Sequence, residues 1–600
     1  MTTPSPKPGE PVDFGALFAE AHRQHSAGRL AEAAAVYREL LALRPDVAEV
    51  HNNLGAVLRN LGQADEALAH CEQALALRPD YAEAHYNLGA VLRDRGKLDQ
   101  AAARYQQALA LRPDYADAHY NLGVTFAQQG KLEQAAARFE HAIALRPNHP
   151  DSYYNLGVVL RGQGKLQPAV ACYEQALALK PNYAEAHNNL GTLIRDQGKL
   201  DQAAAHFEQA IALKPTFVQA YNNLGIVLRE QGDLDQAAAR YRQALALRPD
   251  FAEAHNNLGT TLWDLGALDE ATASYQQALA LKPDFAEAEF SLATCYLSQG
   301  DFQLGWPAYE ARLRFAGAAM PRDLPRWTDQ PLPGRSLLLV AEQGLGDTIQ
   351  FMRYARVLKR RGARIVLAVQ KALGRLLANH PDVDELFMLG SASEFPRCDF
   401  YLPLLSAPGA LGTTAATIPS DVPYLAADPM LTDQWRAELA VTGGFNIGIA
   451  WQGSRDYPSD RWRSTALRNF APLARLPGVR LISLQKGLGS EQAATIDFPL
   501  LDLSGRLDGV AGAFMDTAAV IRNLDLLVTP DTVIAHLAGA LGAPVWVALP
   551  LAPDWRWPRA GDESPWYPTM RLFRQTTLAG WPEVISRIAD AIQAHRAEAR

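Results

Sequence analysis

The chain has 600 residues, enough for several domains with sizeable cores. Its 57 Lys and Arg against 65 Asp and Glu leave a net charge of −8, which disfavours nonspecific nucleic-acid binding as the main role. Four cysteines (Cys71, Cys172, Cys295, Cys398) are scattered with no metal-ligand spacing and no disulfide framework, as expected of a reduced, cytoplasmic protein.

The chain starts Met-Thr-Thr-Pro-Ser-Pro-Lys-Pro, which reads as a disordered segment over 1–12 with no apolar signal region. From about residue 13 to 315 a period of 34 residues dominates. Asn53, Asn87, Asn121, Asn155, Asn189, Asn223 and Asn257 each precede Leu-Gly, and each repeat ends at a proline, from Pro79 to Pro283. This is the period of the tetratricopeptide unit, a helix-turn-helix. In the repeat from His85 to Ala118, Leu88, Gly89, Leu92, Ala101, Tyr105 and Ala108 recur at helical spacings. Gly96 separates the two helices, and Pro113, lacking an N–H, ends the second. Neither helix buries its apolar stripe alone, so the repeats must stack into an α solenoid. The first unit matches only in its second helix; the last has Ser291 for Asn and Ala293 for Gly, as expected of caps.

The recurrent Asn has two readings. It is a helix residue whose amide bonds locally, or the amides form a ladder holding the backbone of an extended protein or peptide, since an amide both donates and accepts. The wording His-Asn-Asn-Leu-Gly…Ala-Leu-Arg-Pro-Asp-Tyr-Ala-Glu-Ala resembles the repeats of the O-linked N-acetylglucosamine transferase family over about 17–310. That resemblance implies the ladder and a protein substrate.

A Pro-rich linker is expected over 316–335. Beyond it, strands and helices alternate, the pattern of a parallel sheet. Ser336–Ala341 and Arg364–Val369 read as strands, with Gly344-Leu-Gly-Asp-Thr348 and a helix to about Arg361 between them. Short strands follow at Glu385–Met388 and Asp399–Leu402. A second set holds strands at Phe445–Trp451, Arg480–Leu484, Leu524–Val528 and Pro544–Leu549, with helices at Phe470–Leu476, Ala513–Asn523 and Thr532–Leu541. Two Rossmann-like halves, 336–428 and 429–600, are expected, with ligands outside the carboxyl ends of the strands. The longest apolar stretch, near Leu526 to Leu551, is interrupted by Asp531 and His536, so no membrane span is expected.

Three segments are candidates for chemistry. Gly344, Gly346 and Asp347 lie between a strand and a helix, where backbone N–H groups face a ligand. No third glycine and no acid after the second strand complete a dinucleotide fingerprint, which disfavours NAD. Asp347 is either the helix cap or a carboxylate that takes a proton from an acceptor hydroxyl. At the second segment, the N–H groups of Thr532, Val533 and Ile534 open a helix and suit a diphosphate. Asp531 would cap that helix or meet a sugar hydroxyl; His536 is a ligand contact or a satisfied core histidine. At the third, Gly453 and Ser454 precede Arg461 and Arg463, which are phosphate-binding forks or surface charges. The tail motifs Pro553-Asp-Trp-Arg-Trp-Pro558 and Ser564-Pro-Trp-Tyr-Pro568 either stack on a sugar or base or close the core.

In this order the segments resemble the lipopolysaccharide heptosyltransferase family over about 336–595. The carriers are the Gly-Asp after the first strand, the Gly-x-x-Trp-x-Gly-Ser segment, and Asp-Thr-x-x-x-His before Ala-Gly-Ala-Leu-Gly-Ala-Pro. The resemblance implies a GT-B glycosyltransferase with Asp347 as base. Asp531, Thr532, Val533, Ile534 and His536 would hold a nucleotide-diphosphate sugar, the co-substrate, with no further cofactor. The family's phosphate-binding lysine has no clear counterpart, Arg461 or Arg463 standing in for it, and no Asp-x-Asp metal motif is evident in these segments, so a metal-independent transfer is expected. The acceptor would be a protein recruited by the repeats. The alternative is a noncatalytic scaffold whose transferase-like part has lost activity.

Overall fold

The structure is a computed structural model describing residues 13–315, 320–390, 394–440, 443–454 and 460–598. The segment 1–12 lies outside the described residues. The chain forms two compact units, one ending at Gly232 and the other starting at Asp233.

In the first unit the expected helix pairs are present, such as Ala82–Asp94 with Leu98–Leu111. The glycine after each Asn-Leu sets their approach. A Cβ on Gly89 would stand 2.9 Å from the Tyr105 ring, and one on Gly157 2.7 Å from that of Tyr173. Gly96 makes the turn between helices at φ +73°, a conformation that costs glycine little. The loop prolines matter through their carbonyls as well: His85 Nε2 donates to Pro79 O and His119 Nε2 to Pro113 O, at 3.0 and 2.9 Å, pinning the start of each following helix.

The second unit begins with helices Leu234–Leu247, Ala252–Asp264, Leu268–Leu281 and Ala286–Ser298, then Phe302–Tyr309 and a 3-10 turn over Glu310–Arg314. These belong to the same compact unit as the α/β part, whereas the sequence put the division at 315. The reason lies in the last repeat's aromatics. Trp306 and Tyr309 pack edge-on against Trp555, at 5.4 and 5.6 Å between centroids, and Trp306 Nε1 donates to Thr413 O at 2.7 Å. Of the Pro-rich linker, 316–319 lie outside the described residues; in the rest Trp327 is buried, and its backbone N–H donates to Tyr401 O at 2.8 Å.

Two all-parallel sheets follow. The first contains β1 (Ser336–Val340), β2 (Arg364–Val369), β3 (Glu385–Met388) and β4 (Phe400–Pro403) in the order β3-β2-β1-β4. The second contains β5 (Phe445–Ile449), β6 (Val479–Ser483), β7 (Leu501–Asp502), β8 (Leu526–Pro530), β9 (Val545–Leu549) and β10 (Met570–Arg574), ordered β10-β9-β8-β5-β6-β7. That is the doubly wound order, with its reversal between β5 and β8; in the first sheet the reversal lies between β1 and β4. β7, β10 and the final helix Trp581–Glu598 were not anticipated from sequence. The helix expected to run to Arg361 is two, Leu345–Phe351 and Tyr354–Arg360. The break comes where Arg353 turns inward: its Nε donates to Gln350 O at 2.8 Å, and Nη1 donates to Trp566 O at 2.6 Å.

Candidate functional site

Four loops at carboxyl ends of strands carry the candidates. After β1, Asp347 closes the first turn of its helix by accepting from Gly344 N–H at 2.9 Å through Oδ2. Its Oδ1 is paired with Arg556 Nη2. Gly344, not Asp347, is the cap residue; Asp347 sits at the third helical position, bonds back to the cap's N–H and is half of an ion pair. Arg556 also bonds Asp554 Oδ1 at 2.7 Å and lies over the Trp555 ring at 5.0 Å. Both residues come from the loop after β9, which sequence reasoning singled out only for its tryptophans.

After β8, Thr532 caps the helix Val533–Ala540 with extended backbone, and its Oγ1 lies 3.3 Å from Thr529 Oγ1. Asp531 and His536 face each other at 3.5 Å. His536 Nδ1 is 3.1 Å from Tyr567 Oη, and the ring stacks on Trp557 at 5.6 Å. Asp531 is almost fully buried. Burial alone would raise its carboxyl, but the His536 hydrogen bond and charge, with Arg463 adding to them, hold it down at about 2.

Gly346 joins the β1 and β8 loops. A Cβ there would stand 2.9 Å from His536 Cδ2 and 3.6 Å from Val533 Cα. After β5, Gly453 donates to Ser464 Oγ at 3.0 Å; a Cβ on it would lie 2.7 Å from Arg463 Nη2. Arg463 bonds Asp460 at 3.0 Å. Gly346, Asp347, Asp531, His536 and Arg463 therefore gather with Arg556 at one place. Arg461 is exposed, over the Trp462 ring at 5.3 Å, and Ser454 is exposed too. Of the tail aromatics, Trp555, Trp557, Trp566 and Tyr567 are all buried and close the core. Among the described residues, no three His, Cys, Asp or Glu side chains are grouped to hold a metal ion, and no helix is long and apolar enough to cross a membrane.

The first unit's asparagines are half-buried and linked from one repeat to the next. Asn87 donates to Asn52 Oδ1 (2.8 Å), Asn121 to Tyr86 Oη (3.0 Å), Asn155 to Tyr120 Oη (3.0 Å), Asn189 to Tyr154 Oη (3.2 Å) and Asn223 to Asn188 Oδ1 (3.0 Å). Each partner immediately precedes the series Asn of the previous repeat. One amide N–H of each is thus used between repeats, a role not foreseen in either sequence reading, while the Asn121 and Asn155 amides also bond locally, to Asp117 O and Asp151 O at 3.0 and 2.9 Å.

Models described as "TPR repeat" match residues 21–62, 57–93, 89–130 and 227–266. Others described as "Tetratricopeptide repeat" match 114–182, 154–216, 206–239 and 252–285. The chain is 28% identical over 327 residues to "Protein FlbA" of Caulobacter vibrioides, a match covering 50% of this chain and 53% of that protein, so it spans about half the relative's length. Among solved structures it is similar to a chain of the APC/C hetero-tetramer Cut9-Hcn1, at 20% identity and TM-score 0.36, over 46% of this chain and 55% of that one. It is also similar to YrrB, described as a TPR protein with an unusual peptide-binding site, at 25% identity and TM-score 0.28, over 31% of this chain and 95% of that one. A third is MamA, at 27% identity and TM-score 0.26, over 28% and 97%. Residues 21–285 are a tetratricopeptide-repeat array, followed in the same chain by an α/β region with two parallel sheets.

Proposed function

We propose that the protein is a GT-B glycosyltransferase that moves a sugar from a nucleotide-diphosphate sugar to a protein acceptor recruited by the repeats. The supporting observation is the meeting of the β1 loop with the β8 loop, Gly346 lying against His536 and Val533. In a doubly wound sheet the ligand binds outside the carboxyl ends at the reversal of strand order, where Asp531, Thr532 and Gly453 lie. The start of helix Val533–Ala540 and the arginines would stabilise charge on the leaving diphosphate, where fixed donors contribute most. Asp347 would take the acceptor proton. The asparagine series would hold an extended acceptor through the amide hydrogens and oxygen lone pairs left over from the bonds between repeats.

The pairing of Asp347 with both Arg556 and Gly344 N–H favours a second reading, a noncatalytic scaffold, because both carboxylate oxygens are already engaged in holding the two loops. A thermal-shift panel of UDP-, GDP- and ADP-sugars separates the two, since a ligand that binds only the folded state raises the midpoint. Under the transferase reading one donor raises it, and Asp347→Ala abolishes transfer while keeping the shift. A panel with no shift supports the scaffold.

A further inference from the structure

Arg556 is a buried guanidinium shared by two carboxylates, Asp347 and Asp554. Its Nε is buried with no hydrogen-bond partner among the described residues. It stands between the β1 loop, which supplies Asp347, and the β8 loop, which supplies Asp531 and His536. Its side chain is 9% exposed, whereas those of Asp347 and Asp554 are 18% and 20% exposed, so an incoming solute can reach the acids' side of the pair. A guanidinium binds carboxylate and phosphate through the same fork of donors. An anion entering here therefore competes with Asp347 for Arg556.

We propose that Arg556 is a switching counter-ion: it holds Asp347 in the free protein and turns to the diphosphate of an entering ligand, leaving the Asp347 carboxylate free. The bond to Asp554 keeps the guanidinium anchored and paired throughout, so the buried cation is never left bare. The ligand class, a nucleoside diphosphate, rests on the transferase reading above; the anion switch itself does not. It makes ligand binding a precondition for a free base and removes the conflict between Asp347 as partner and Asp347 as base. Because only differential interaction with the two states shifts them, removing the competitor must strengthen anion binding.

The test is isothermal titration calorimetry on the full chain, with inorganic pyrophosphate and, separately, with UDP, GDP and ADP. Arg556→Gln should weaken binding about tenfold or more, Arg556→Lys less, and Asp347→Asn should tighten it several-fold, an effect that a merely structural role for Asp347 would not give. If Arg556→Gln does not fold, Asp347→Asn decides alone. Nucleotide binding that Asp347→Asn leaves unchanged or weakens overturns the switch while leaving the nucleotide-sugar reading standing. Pyrophosphate binding that depends on Arg556, with no nucleotide bound, supports the switch and removes the nucleotide. If no probe binds either the wild-type protein or Asp347→Asn, both fail.

Discussion

The two sheets reverse their strand order in the same way but end in opposite environments. At the first reversal, between β1 and β4, Glu342 is fully buried and receives Leu404 and Leu405 N–H at 2.9 and 3.2 Å and Arg312 Nη2 at 2.7 Å. Arg312 comes from the 3-10 turn that ends the helical repeats and is itself fully buried, reaching Ser406 Oγ at 2.7 Å as well. Burial outweighs the arginine and pushes the Glu342 carboxyl up to about 7. At the second reversal Asp531 is buried too, yet His536 and Arg463 hold it at about 2. What differs is how many positive groups face the acid and whether the place is sealed. The crevice at the first reversal is occupied by Arg312, from the turn after the last helices of the repeats; the second keeps its charged groups within reach of a solute.

The largest effect is expected from unsealing the first reversal. Arg312→Ala removes the cation from a fully buried pair, a change that costs on the order of 3 kcal/mol. Urea denaturation at pH 7 reads it. A loss below about 1 kcal/mol would mean that Glu342 relaxes without its partner, and the contrast between the two crevices would collapse.

How far these two places can be read from sequence differs in the same sense. The period, the glycine against Tyr105 and the helix-turn-helix pairs follow from spacing, because each repeat restates the same local contacts. The second reversal was legible at Asp531, Thr532 and His536, since a strand end, a cap residue and a helix lie within a few residues. Arg556 was not, because its partner Asp347 is more than two hundred residues away and its neighbours Trp555 and Trp557 read equally as core or as stacking platform. Arg312 and Glu342 carry no local signal either: one ends a decayed repeat and the other follows an apolar strand. β7 was missed because two residues give too little pattern to register, and edge strand β10 because Arg571 and Arg574 interrupt its apolar residues.

The next effect separates the two acids by pH. Asp531 in the folded protein titrates well below its ordinary value, so the folded state binds fewer protons than the unfolded one as pH falls. Its contribution is complete above about 4 and is lost as pH falls toward 2; the shift is worth on the order of 2 kcal/mol. Glu342 has the opposite sign: its raised value makes stability fall as pH rises from the ordinary carboxylate range to about 7. Asp531→Asn should therefore flatten the acid limb between about pH 4 and 2, and Glu342→Gln should flatten the limb between about 5 and 7, both read by urea denaturation at a series of pH values. If either substitution flattens the other's limb instead, the pairing of charges assigned to the two crevices is reversed.

The smallest effect tests whether the second crevice depends on the fit between the two loops. A Cβ at Gly346 would stand 2.9 Å from His536 Cδ2, closer than carbon atoms tolerate. His536 has little room to yield, since Trp557 stacks on its ring and Tyr567 meets its Nδ1. The helix Leu345–Phe351 must therefore shift from Val533–Ala540 by a few tenths of an ångström, at a cost of about 1 kcal/mol. Gly505→Ala is the control, because a Cβ there meets nothing within 4 Å. The expected result is a lower thermal midpoint for Gly346→Ala alone, together with weaker binding of whichever nucleoside diphosphate the wild-type protein takes. A lower midpoint with unchanged binding would place the ligand away from the Gly346–His536 contact and leave the β5–β8 reversal to bind it without help from the first sheet.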